Sequence, residues 1–526
     1  MRTLACLLML LAVSFPLAAK DASLFELVRS GSVDEVKAAL KSGAQVNVRD
    51  EQGYTPLMVA CEMMNDPVEL VKALLAAGAK INEKADDGRT ALMGASMAGN
   101  TSIVRMLVGL QAKVNEKSSY GYDALMMACE SAEGRTDIIK LLLGAGAQLS
   151  ERNEDGKNAL MIAAGYGNLD AVKALLAAGA HLGERSKTGR TAFLEAASSG
   201  NAALIRYLVD RKANVNDRDA DGYNALIAVC GSQGGGVEIV KLLLDAKISV
   251  NEQAGDGQTA LLSAVYAGVP EVVKLLIERK ADVNLRTRDG YTALMAAASS
   301  GSDAIAKLLL AAGARVNERN NYGTTALMEA STAGHLDMVK FLAESKAAVD
   351  VHNDDGSTAL MLAASYGSSD IAKLLISLGA DVNARDLRGS TPLMFLAGSS
   401  GEKSDLAKLL IQSKADVNAR DDDGSTALMN ACGTGSVDMA RILLGARAAV
   451  NVQNDAGMTA LLFAAQDTSN STELVKLLLA AGAKADLTNY SGYTALMAAA
   501  FMKNLQTATQ LLEAGARVND HDEQGC

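Results

Sequence analysis

Six cysteines and four histidines are the residues of this 526-residue chain best suited to bind a metal or attack a substrate. His181, His335, His352 and His521 are dispersed, and none falls at a metal-ligand spacing with another. Asp217-Arg218-Asp219-Ala220-Asp221-Gly222 copies half of a calcium loop, but the twelfth place, where a bidentate acid is needed, is Ala228. No G-x-S-x-G elbow, phosphate loop or dinucleotide fingerprint is present. Catalytic residues, cofactor and metal are therefore all expected to be none, and an enzyme or enzyme subunit is the remote alternative for this chain.

Tyrosine is the more informative residue, with twelve copies against no tryptophan. Tyr54, Tyr122, Tyr223, Tyr291 and Tyr493 each directly follow a glycine, and Tyr120, Tyr322 and Tyr490 lie just before one. Tyr166, Tyr266 and Tyr366 fall at the end of what reads as an inner helix, and only Tyr207 lies on an outer one. Tyrosine gives large contact area at low entropic cost, so surfaces rich in it favour binding. The same residues could instead stiffen a row of loops, and the two roles are compatible.

What positions these tyrosines is a repeat. A phrase close to T-A-L-M-x-A-A recurs fourteen times after glycines 53, 88, 121, 156, 189, 222, 257, 290, 323, 356, 389, 424, 457 and 492. Successive gaps are 33 residues, except for five of 35. A period of this size predicts a solenoid of stacked supersecondary units. In residues 290–322, Thr292 is placed to cap a helix from Ala293 to Ala298, a slot filled elsewhere by Asp123, Asn158 and Asn224. Ser299-Ser300-Gly301 turns the chain, and a second helix from Asp303 to Ala312 carries Ile305, Leu308 and Leu309 toward the core. Gly313 ends it, and an Asn-rich stretch forms a protruding turn up to Gly323.

The extra residues of the long units fall between the two helices, at 62–67, 130–136, 231–236, 398–404 and 466–471, which reads as tolerated loop insertion, with a functional edge as the alternative. Residues 21–43 lack the T-A-L phrase and begin with a capping-box spacing at Ser23-Leu24-Phe25-Glu26. In the last unit Thr507 and Gln510 replace apolar residues, as a polar C-terminal cap would. Cys61, Cys129, Cys230 and Cys432 share a slot that is mostly Ala in other units, and no two are in adjacent units. Equivalent positions of stacked helices lie about 10 Å apart, beyond the reach of about 7 Å that a disulfide allows. Four buried free thiols are expected, while Cys526 is left open to an intermolecular bond.

The pattern D-x-x-G-x-T-A-L-M-x-A-A…G…[IV]-x-K-x-L-L-x-x-G-A-x-V-N resembles the ankyrin repeat across about residues 21–526. The resemblance implies an all-α repeat solenoid of about fifteen helix-turn-helix units with β-hairpin-like loops. It divides the chain into a leader at 1–19, an N-terminal capping repeat at 20–52, thirteen repeats at 53–491 and a C-terminal repeat with its hairpin at 492–526. It also implies that the eleven tyrosines other than Tyr207 line the family's concave groove. One departure is consistent, since the family's His after T-P-L is Met at ten positions, Met58 and Met295 among them. An apolar residue there cannot tie the loop backbone, which leaves Thr and backbone groups to hold it.

Arg2, the apolar run Leu4–Val13 and the small residues Ala18-Ala19 read as a secretory leader cleaved before Lys20. The run is too short to span a bilayer, and no later segment qualifies. Net charge is −11 without a basic stripe, which argues against nucleic acid as a partner. The expectation is a non-enzymatic scaffold, an exported monomer in a bacterial periplasm or secreted, that binds an unidentified protein partner. A structural spacer or spring is the alternative.

Overall fold

The computed structural model describes residues 19–30, 32–132, 134–232, 236–399, 403–466 and 471–523. Residues 1–18, within the expected leader, Cys526, and parts of four of the five insertions (residue 133 and residues 233–235, 400–402 and 467–470) lie outside these. Among the described residues the chain forms thirty helices in fifteen pairs. They divide into two bodies, Met1–Gly255 with seven pairs and Asp256–Cys526 with eight. Within each body, inner helices pack on inner helices of the next pair, and outer on outer.

Each pair forms because its sequence signals agree. Thr292 accepts the Met295 N–H at 3.2 Å, and Asp123, Asn158 and Asn224 accept the equivalent N–H at 2.8, 3.0 and 2.9 Å. The inner helix then runs from Ala293 to Ser300, two residues longer than its apolar run, and stops at Gly301 with φ +67°. The outer helix spans Asp303–Ala311 and ends against Gly313 at φ +91°. Its core residues are Ile305, Ala306 and Leu309, while Leu308 is only half-buried. Leu308 and Leu309 are about 100° apart on a helix, so a single stripe cannot bury both fully.

The loops are tied more heavily than expected. Three residues before the repeat glycine, a short polar side chain closes the turn in all units except those with Ala85 and Ala254: Asp50 accepts the Tyr54 N–H at 2.8 Å, and Asn353 accepts that of Ser357 at 2.7 Å. Each turn also bonds to the next through backbone, as Asp354 N–H to Tyr322 C=O at 2.9 Å. Asn317 clamps adjacent loops from the side, accepting from Ala348 N–H at 2.8 Å and donating to Lys346 C=O at 3.3 Å. Arginines four residues before the glycine add a further tie, with Arg319 donating to the Gly323 and His352 carbonyls at 3.1 and 2.8 Å. Methionine contributes as well, since the Met58 and Met361 sulfurs accept the Thr55 and Thr358 N–H at 3.4 Å. The reading that methionine cannot tie the loop is corrected on this point. The loops pair too sparsely for strands, with only isolated bridges such as Arg286–Thr292 among the described residues.

Two end assignments change. The first helix spans Ala19–Ser30, so Ser23 lies inside it rather than at a cap. Nothing in Ala19-Lys20-Asp21-Ala22 breaks a helix, and the two alanines favour one. Thr507 does not face solvent: it is fully buried, 3.1 Å from the Ser471 hydroxyl and 3.2 Å from that of Thr472. Its slot points inward in every repeat, and here the facing residues are hydroxyls too. The surface of the last pair instead exposes Phe501, Leu505 and Val518. Cys61, Cys129, Cys230 and Cys432 are free and buried, as expected.

Candidate partner-binding groove

The eleven candidate tyrosines sort into two environments. Tyr54, Tyr122, Tyr223, Tyr291 and Tyr493, directly after the glycine, are half-buried. Tyr120, Tyr322 and Tyr490 before the glycine, and Tyr166, Tyr266 and Tyr366 at the inner-helix end, are exposed. Burial therefore differs by slot. Residues after the glycine lean on the helix behind them, whereas residues before it stand at the turn's tip.

Around Tyr54 the chain supplies all its own partners. The phenol donates to Asp87 Oδ2 at 3.1 Å, and the Arg89 guanidinium sits 5.3 Å from the ring centroid. Arg89 bonds Asp87 at 2.7 Å and pairs with Glu62 at 3.4 Å. Burial pushes the Glu62 carboxyl above its ordinary range, and Arg89 opposes that rise. Tyr122 and Tyr166 are both influenced by Glu130, itself raised by burial and held down by the Tyr122 hydroxyl and Arg135.

Tyr266, Tyr291 and Tyr322 come together in one cleft of about 870 Å3 in the Asp256–Cys526 body. Its floor carries Glu329 and its rim Asp256, Asp289 and Asp355, and no lysine or arginine lines it. Burial raises the Glu329 carboxyl, partly offset by hydrogen bonds from the Tyr291 and Ser299 hydroxyls. The Tyr291 phenol is raised in turn, by burial first and then by Glu329. A second cleft of about 630 Å3 shares Asp355 and is floored by Met394, Phe395 and Asn430. Tyr366 and Tyr490 line neither cleft.

Glu329, Phe395 and Asn430 were missed in the sequence. All three occupy the x of T-A-L-M-x-A-A, six residues after the glycine, where Leu362 and Phe463 also lie. The signal was available as a varying letter inside an otherwise constant phrase. Against this geometry stand the comparisons with known proteins. A family model described as ankyrin repeats (3 copies) matches in overlapping stretches from residue 17 to residue 522.

The chain belongs to the ankyrin repeat family.

Ankyrin repeats are protein–protein interaction modules, and the family is generally one of non-enzymatic scaffolds. A shorter likeness is to the mitochondrial disaggregase of Bos taurus, 47% identical over 51 residues. That stretch is 10% of this chain and 8% of the disaggregase, so the match spans a small part of either. Among the described residues, no helix of this ankyrin chain is long and apolar enough to cross a membrane, and no cluster of three or more His, Cys, Asp or Glu could hold a metal.

Proposed function

We propose that this chain is a non-enzymatic scaffold that holds an extended segment of a partner protein along the hairpin tips and inner-helix ends, after export from the cytoplasm. The observation that carries the reading is the exposure of six tyrosines, three just before a repeat glycine and three at inner-helix ends. Large aromatic surface left in water has no role in the stack's own packing, and such surface marks contact sites. The leader-like residues Arg2 and Leu4–Val13 support export to a periplasm, with secretion as the variant.

The test is photocrosslinking from defined positions. A benzoylphenylalanine at Tyr322 or Tyr366 should trap the partner, whereas one at Tyr207 on an outer helix should not. Equal trapping from Tyr207, or trapping from neither groove position, would remove the groove from the function.

A further inference from the structure

The repeat contains an internal comparison that bears on what the groove recognises. Glu195 and Glu329 both lie six residues after the repeat glycine, at 189 and 323. Glu195 is neutralised by its own chain, with Lys157 Nζ at 3.0 Å and Arg190 Nε at 3.1 Å. Those cations occupy the position directly after the glycine in the preceding repeat and in the same repeat. The equivalent residues near Glu329 are Tyr291 and Thr324, which carry no charge. Glu329 is met by hydroxyls instead and borders the open cleft beside Tyr266 and Tyr322.

A carboxylate held partly out of water gains most from a cation that enters with it, and aromatic rings nearby add attraction for the same charge. The chain already builds such an arrangement for itself, with Arg89 over Tyr54 between Asp87 and Glu62. We propose that the Tyr266–Tyr291–Tyr322–Glu329 cleft is a subsite for one cationic side chain, arginine or lysine, of the partner segment. The assignment rests on the groove being the binding surface. Asp289 and Asp355 on the rim extend the negative potential toward solvent and draw a basic segment in. An anionic or uncharged residue in the same place would bring no countercharge to Glu329.

The probes are acetylated pentapeptide amides Gly-Gly-Xaa-Gly-Gly, with arginine, lysine, citrulline or glutamate at the centre. They are titrated into the full chain carrying 3-fluorotyrosine, and the fluorine signals of Tyr266 and Tyr322 are followed. The arginine or lysine peptide should shift both signals saturably, with citrulline at least fivefold weaker and glutamate inactive. The ratio of arginine to lysine affinity identifies which cation the site prefers. Glu329→Gln should weaken the cationic peptide at least fivefold. Thr324→Arg, which installs the counterpart of Arg190, should abolish binding while melting no earlier than the parent, so loss of fold cannot explain the loss. Citrulline binding as tightly as arginine, Thr324→Arg binding normally, or no response to any peptide would each overturn the subsite. Partner trapping from Tyr322 that persists unchanged in Glu329→Gln would overturn it too while leaving the groove reading intact.

Discussion

The Leu387 N–H donates to the Asp355 carbonyl at 3.0 Å, and Gly356 lies where the two turns touch. A Cβ on Gly356 would come within 2.5 Å of the Leu387 nitrogen, and its φ of +80° is one that side chains resist. Two independent penalties meet at one atom. Gly356→Ala should therefore cost about 2–4 kcal/mol, measured by urea unfolding. Gly313→Ala is the comparison, since its φ is +91° but nothing lies within 4 Å of its Cβ, and it should cost less.

Leu309 is fully buried between stacked outer helices, whereas its neighbour Leu308 is half-buried. Leu309→Ala should lose about 2–5 kcal/mol and Leu308→Ala clearly less. Equal losses in thermal melting would mean that the two leucines share the core.

Asp123 caps its helix from a buried position, and burial raises its carboxyl to about 6. An acid whose folded pKa is raised stabilises the fold while protonated, below about pH 4. That contribution is lost as pH climbs through about 6. Asn fills the same slot at Asn158 and Asn224 and caps without a charge. Asp123→Asn should raise stability by about 1–3 kcal/mol at pH 7.5, and the gain should vanish near pH 3.5. A gain that is flat with pH would point to shape rather than charge.

Burial pushes the Cys230 and Cys432 thiols up to about 12, and those of Cys61 and Cys129 higher still. Almost no thiolate exists at neutral pH, so all four should resist maleimide until the repeats open. Labelling of the native chain, counted by mass spectrometry, checks this, and four rapid modifications would contradict it. The same spectra should show a mature terminus at Lys20 on protein recovered from the exported fraction, and an intact Met1 there would defeat the leader reading.

The repeat was legible because its signals are local and coincide. Thr292, the apolar run after it and Gly313 each determine backbone geometry by themselves, and the structure places them as their chemistry requires. Slots whose direction depends on neighbours were harder. Thr507 looked like a surface residue by polarity, but its position on the helix turns it toward Ser471 and Thr472. Ser23 had the spacing of a cap, yet the helix had no reason to begin so late. The tyrosines were visible as a pattern, but the cleft that joins three of them was not, because Glu329 and Tyr266 meet only when three successive repeats stack.

That single varying position has a consequence for how such a protein can change over generations. From Glu329 through Leu362, Phe395, Asn430 and Phe463, one letter per repeat is partly open to the groove while its apolar neighbours on either side remain sealed in the core. A mutation there changes the groove surface at one step and leaves every cap, clamp and turn untouched. If the proposed groove is the binding surface, stability and recognition are inherited through different residues, and the lineage can explore new partners without first having to survive an unfolded intermediate.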